Sequence, residues 1–186
     1  MTQSRTAVRR PRTSALTLRT AEVREAHKLF ALIQANLEEG HLLPRTLSEL
    51  KIHANRFVVA VKGRSIVGCA ELATLSPTVA EVRSLAVDAS ARGGRIGVAI
   101  VEELRRRARR EGFDRLCAFT HAPGYFTNMG FSIVPHTWLL EKIFTDCIKC
   151  AQFRSCGQYA MVVPLDSAFD SEHGYGVPAS EAAPPA

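Results

Sequence analysis

No stretch of this 186-residue chain approaches the roughly 18 consecutive apolar residues of a membrane-spanning helix, because a charge interrupts every apolar run first. A spanning helix is excluded, and a soluble protein is expected. No apolar secretory segment opens the chain, and its five cysteines are odd in number, which argues against a disulfide framework and for a reducing, cytoplasmic setting. The first nineteen residues hold no acid and are rich in Arg, Ser and Thr; they read as a solvated arm, a composition that organelle transit peptides share. A sustained basic stripe is also missing. Of the net charge of +6, the first twenty residues carry +5 and the last twenty −3, so the middle keeps a modest +4 that suits phosphate or carboxylate ligands and not nucleic acid. The six histidines form no ligand-like cluster, and no internal repeat is visible.

What the chain has is enough apolar material, 46%, to bury the core of one domain. Low-complexity ends frame it: an arm over 1–16 and a Gly, Ser, Ala and Pro tail over 167–186 are expected to be disordered, with the folded domain at 17–166. Thr20 reads as a helix N-cap, followed by Ala26, Phe30, Ile33 and Leu37 at helical spacing and Gly40 as the stop. Thr46 and Glu49 spell a capping box for a second helix. Phe57–Val61 and Ile66–Leu75 flank a glycine turn as a hairpin, and Glu81–Val87 is a third strand. Ile96, Ile100, Leu104 and Ala108 predict a long helix with Gly112 as its stop. A strand at Leu116–Thr120, a short helix at Gly124–Met129 and a last strand at Ala160–Leu165 complete a mixed α/β (α+β) chain.

The most informative stretch joins the strand Glu81–Val87 to the long helix through Arg92-Gly93-Gly94-Arg95-Ile96-Gly97. Glycines let backbone amides approach a ligand, and a helix start adds free N–H donors with a partial positive charge, so the loop suits a pyrophosphate; the plainer reading is a glycine-rich turn. This unit resembles the acetyl-CoA signature of the GNAT acetyltransferase family, a strand of type E-x-x-x-L-x-V followed by R-x-x-G-x-G/A. The resemblance implies a mixed, mostly antiparallel central sheet flanked by helices, with acetyl-CoA as co-substrate. It puts the coenzyme against Leu85, Ala86, Val87, Arg92, Gly93, Gly94, Arg95, Ile96 and Gly97. Arg95 departs from the pattern, standing where the family usually has its first helix-entry glycine, and is itself able to pair with a phosphate.

Tyr125-Phe126-Thr127-Asn128-Met129-Gly130-Phe131 resembles a later motif of the same family, beside the pantetheine and thiol, and adds Phe126 to the coenzyme contacts. Phe126 occupies the tyrosine position of that motif and cannot give a proton to a thiolate. Tyr125 is left as the candidate acid, or as a packed aromatic. By its place on the strand, Glu81 matches the glutamate that several family members use as general base; the alternative is an ion pair with Arg83 or Arg64, and Glu71 is held in reserve.

Glu39-Gly40-His41-Leu42-Leu43-Pro44-Arg45-Thr46 and Leu139–Cys147 resemble the acetyltransferase domains of N-acetylglutamate synthases, in particular short forms without a kinase-like domain. That likeness spans roughly Thr17 to Leu165. It implies acetyl transfer to the α-amine of L-glutamate, with Arg45 and Arg83 as partners for the carboxylates; a surface role for either is the alternative. A homodimer is left open. Another small amine, a protein N-terminus, or a coenzyme or metal sensor without turnover are the competing functions. Cys147, Cys150 and Cys156 offer three thiolates, with His136 or Asp146 as the only fourth donors in view, so reduced thiols and no metal are expected. Cys69 and Cys117 read as core residues.

Overall fold

The structure, a computed structural model, describes residues 15–37 and 42–165. The expected tail, most of the expected arm, the helix stop at Gly40, and His41 lie outside the described residues. Seven strands form one sheet in the order β1-β2-β3-β4-β5-β7-β6. The chain divides into two compact units: residues up to Ala70 with Leu85–Ile100, and Glu71–Ser84 with the chain from Val101 onward.

In the first unit, β1 (Leu16–Thr20) pairs antiparallel with β2 (Phe57–Lys62), from Leu16 against Lys62 to Thr20 against Val58. This strand overturns two expectations. Leu16 belongs to the fold and not to the arm, and Thr20 ends a strand where a helix cap was expected. The helical start lies two residues on, where Glu22 and Glu25 satisfy each other's backbone ahead of a 3-10 turn at Val23–Glu25 and helix α1 (Ala26–Leu37). Arg19 grips Glu25 with two hydrogen bonds of 2.7 Å, and that interaction holds the Glu25 carboxyl down at about 2. Helix α2 (Leu47–His53) carries the expected box, with Thr46 Oγ1 accepting from the Glu49 amide at 3.2 Å and Glu49 accepting from the Thr46 amide at 2.7 Å.

The core of this unit packs Leu29, Leu32 and Ile33 of α1 with Leu50 of α2, Phe57 and Val59 of β2, Cys69 of β3 (Ser65–Thr74) and Ala86 of β4 (Val79–Val87). Burying each large side chain contributes about 1.5–3 kcal/mol. Phe30, expected on the buried stripe, is only partly buried. Gly68 of β3 has a steric role: a Cβ there would lie 2.8 Å from Ile100 Cδ1 and 3.0 Å from Ile96 Cγ2. Its missing side chain lets the first turns of α3 (Ile96–Arg110) sit close to the strand.

In the second unit, the first part of β4 pairs parallel with β5 (Arg115–Thr120) over Val79–Val82, while β4 itself continues to Val87. β7 (Tyr159–Pro164) pairs antiparallel with β5 and with β6 (Ser132–Val134). Gly112, at φ 82°, ends α3 with its amide bonded to Arg109 O and that of Phe113 to Ala108 O, a glycine-dependent C-cap. Two short helices follow, α4 (Pro123–Thr127) and α5 (Leu140–Thr145). The spacing did not predict β6 or α5, which are three and six residues long. Val79, Cys117, Leu139 and Ala160 form a buried cluster. Among the described residues no helix is long and apolar enough to cross a membrane.

Candidate functional site

The loop that leads into α3 is built from backbone. Asp88 opens it by accepting from the amide and hydroxyl of Ser90, at 2.9 and 2.5 Å, and a 3-10 turn at Ala89–Ala91 follows. Arg92, exposed, ties back to Val87 O at 3.2 Å and to Asn36 Oδ1 at 2.9 Å. Gly93 has φ 82° and nothing within 4 Å of where a Cβ would stand. Arg95 has φ 56°, a left-handed conformation that a non-glycine residue holds at a cost of about 1–2 kcal/mol. The position where the family pattern carries glycine thus keeps glycine's backbone with an arginine side chain on it, and that side chain is exposed. Arg95 O accepts the first helical bond from Ala99 at 3.0 Å, so the amides of Ile96, Gly97 and Val98 have no partner inside the helix. Together with the dipole of a 15-residue helix, these donors suit an anion such as a pyrophosphate. Leu85, Ala86 and Val87 form the end of β4 that feeds this loop, past Ser84, a second non-glycine residue with left-handed backbone, at φ 54°.

The second unit holds a cluster of opposite character, made from side chains. Glu81, 3% exposed, accepts from Lys142 Nζ on both oxygens at 2.8 and 2.9 Å, and from Arg83 Nε and Nη2 on one oxygen at 3.0 and 2.5 Å. Asp146 Oδ2 accepts from the same Lys142 at 2.8 Å and the same Arg83 at 2.5 Å. Residues 81 and 83 share one face of β4, and 142 and 146 share one face of α5 and its C-cap, so the two periodicities meet in a closed ring of alternating charge. Burial alone would raise the Asp146 carboxyl, but the Lys142 and Arg83 contacts outweigh it and hold it below the usual carboxylate range. Burial likewise pulls the Arg83 guanidinium down, and the charges of Glu81 and Asp146 reverse the sign. Lys142 also lies 5.3 Å from the centre of the Phe119 ring. Glu71 is 2% exposed and adds its negative field at Arg83.

Of the sequence-predicted residues, Glu81 and Arg83 are thus brought together, as the ion-pair alternative anticipated. Tyr125 is 37% exposed, and partial burial raises its hydroxyl above the usual tyrosine range. Phe126 is 6% exposed and stacks edge-on with Tyr125 at 5.4 Å and Phe131 at 5.2 Å, so its ring is committed to packing. Arg45 lies in the first unit with its side chain 10% exposed and its Nε 3.9 Å from Glu49 Oε2. Lys142 and Asp146 are the residues that sequence reasoning did not combine with Glu81; an i,i+4 pair was visible, but its partners stand 61 and 63 positions away. Cys69 and Cys117 are buried, with both thiols pushed up by burial, Cys69 to about 12. Cys147 and Cys150 are half-buried and Cys156 exposed; among the described residues no group of three or more His, Cys, Asp or Glu is arranged to hold a metal ion.

Residues 21–131 match the model of the acetyltransferase (GNAT) family. An uncharacterized N-acetyltransferase of Chlorobaculum tepidum is 29% identical over 148 residues, 80% of this chain and 96% of that protein. An amino-acid acetyltransferase of Neisseria meningitidis is 31% identical over 126 residues, 64% of this chain and 29% of that protein. Among solved structures, N-acetylglutamate synthase of Neisseria gonorrhoeae, complexed with coenzyme A and N-acetyl-glutamate, superposes with a TM-score of 0.74 at 25% identity, covering 82% of this chain and 36% of that one. The chain therefore spans about a third of the length of the last two.

Proposed function

The chain belongs to the GNAT acetyltransferase family, and from that premise we propose that it transfers the acetyl group of acetyl-CoA to the α-amine of L-glutamate. The observation that carries the coenzyme half is the left-handed Arg95 ahead of three free helix amides, which reproduces with an arginine the backbone a pyrophosphate cradle needs. In this reading the pyrophosphate lies on the amides of Arg92 to Gly97, Arg95 pairs with a phosphate oxygen, and the pantetheine runs along Leu85–Val87. Likeness to an N-acetylglutamate synthase supports the choice of amine.

The amine nitrogen attacks the thioester carbonyl, forming the C–N bond, and collapse of the tetrahedral adduct breaks the C–S bond. The proton leaving nitrogen goes to Glu81, directly or through a water, and the sulfur leaves as a thiol after taking a proton from Tyr125. Glu81 already accepts from Lys142 and Arg83 on both oxygens, so a lengthening of one of those bonds accompanies the proton's arrival. Tyr125 is the proposed acid because a phenol hydroxyl is protonated at neutral pH; its partial burial raises the hydroxyl further, which makes the proton harder to give and calls for a thiolate close by. Arg45 and Arg83 are the proposed partners of the substrate carboxylates, since a guanidinium can grip a carboxylate with two parallel hydrogen bonds.

Release of free CoA, measured for the full chain with acetyl-CoA and a panel of amines, tests the proposal. L-glutamate is expected to be turned over with the highest kcat/KM. Equal turnover of glutamine, aspartate or a peptide N-terminus overturns the glutamate assignment.

A further inference from the structure

The ring formed by Glu81, Lys142, Asp146 and Arg83 has a buried half, Glu81 and Lys142, and a half-buried one, in which Arg83 keeps 28% of its side chain exposed and Asp146 more. Glu81 is 3% and Lys142 8% exposed, and neither can leave without stranding a buried charge. Asp146 keeps 38% of its side chain exposed, stands at the C-cap of a six-residue helix, and attaches to both cations through a single oxygen. The charge count is equally informative. Within the ring two carboxylates, Glu81 and Asp146, face two cations, Arg83 and Lys142, so a further carboxylate arriving unopposed would leave one negative charge in excess. Exchange of one carboxylate for another leaves the count unchanged.

We infer that Asp146 is a built-in stand-in for a substrate carboxylate, occupying the Arg83 and Lys142 donors in the free protein and swinging out when an acidic substrate takes its place. The inference rests on the acetyl transfer to L-glutamate proposed above and adds Lys142 as a direct carboxylate ligand and Asp146 as a positioning residue. No bond is made or broken in the exchange. Arg83 Nη2 and Lys142 Nζ pass from one carboxylate oxygen to another, and Asp146 moves to solvent. Its presence lowers affinity for every acidic ligand by the free energy of breaking its own two contacts, and it discriminates against neutral amines, which cannot repay that loss.

Glutarate, a dicarboxylate with no amine, separates this inference from the catalytic one. Calorimetric titration of the full chain is expected to give about tenfold tighter glutarate binding in Asp146→Asn than in the wild type, and Arg83→Gln in the Asp146→Asn background is expected to cancel the gain. In turnover, Asp146→Asn is expected to lower the KM for L-glutamate while the KM for acetyl-CoA stays in place, a split that a purely structural role does not produce. Glutarate binding that is unchanged or weaker in Asp146→Asn overturns the inference. Should that variant fail to fold, the wild-type Asp146 side-chain carboxyl carbon, followed by 13C NMR, is expected to move to a solvated carboxylate shift as glutarate is added; a stationary signal under saturation overturns it too. A wild type that acetylates another amine but not L-glutamate sinks the proposed function alone, because the titration still decides the exchange.

Discussion

The loop at Arg92–Gly97 and the ring around Glu81 are two ways of making a polar site, and they differ in what the chain must supply. The loop is local: six consecutive residues, a helix start and two left-handed backbones present donors that belong to the main chain. The ring is non-local, with its four charges drawn from a strand and a helix more than fifty residues apart, buried at Glu81 and Lys142 and half-buried at Arg83 and Asp146. A backbone site tolerates side-chain changes that leave its φ angles and approach path alone. A side-chain site tolerates almost none.

The largest expected effect tests the ring. Glu81→Gln keeps the shape but leaves Lys142 and Arg83 facing a neutral amide, so kcat is expected to fall by roughly 10²–10⁴ if Glu81 is the base. Calorimetric acetyl-CoA binding is expected to stay near that of the wild type; wild-type turnover between about pH 6 and 9 would exclude the catalytic role. The loop is next: Gly97 is buried in the first turn of α3, and Gly97→Val is expected to weaken acetyl-CoA binding by at least about tenfold by blocking backbone approach. Unchanged coenzyme affinity would erase the distinction drawn above. Arg45→Gln is expected to reduce kcat/KM for L-glutamate about ten- to a hundredfold with the KM for acetyl-CoA unmoved.

A smaller effect with the opposite sign is expected at Arg95. Glycine there releases the left-handed strain of about 1–2 kcal/mol and gives back about 0.5–1 kcal/mol as unfolded-chain entropy, so Arg95→Gly is expected to stabilise the fold by up to about 1.5 kcal/mol in chemical denaturation. The same change is expected to weaken acetyl-CoA binding if Arg95 pairs with a phosphate. A separate effect, confined to acid pH, lies at Arg19 and Glu25, remote from the ring. The folded-state carboxyl sits at about 2 against an ordinary 4.5, so the contribution to stability is present above about pH 4.5 and is lost as pH falls toward 2. Glu25→Gln is expected to flatten that part of the acid denaturation curve; an unchanged acid limb would deny the pair its role.

Legibility in the sequence follows the same divide. The Thr46 and Glu49 box, the Phe57–Thr74 hairpin and α3 with its Gly112 cap were readable because each depends on residues within a few positions of one another. β1 was not, since a five-residue strand with its side chains largely half-buried or exposed writes only a faint alternation, and Thr20 looks like a cap from either side. The loop from Arg92 to Gly97 was legible as a strand-to-helix turn down to its anomalous Arg95. The ring was half legible: Glu81 and Arg83 announced themselves as neighbours on a strand, whereas Lys142 and Asp146 acquire meaning only when α5 is brought against β4.

The closed ring also constrains how such a protein can change over generations. Replacing any one of Glu81, Arg83, Lys142 or Asp146 by a neutral residue leaves an odd charge among the other three, at a cost of several kcal/mol where the orphan is buried. Compensated pairs are far less costly, so the four positions should drift as couples and not one at a time, with interaction energies in double-mutant cycles well above the few tenths of a kcal/mol expected of distant sites. The backbone loop is under no such pairing rule. Descendants of this chain are therefore free to revise the loop one substitution at a time, while any revision at the buried pair Glu81 and Lys142 must pass through two.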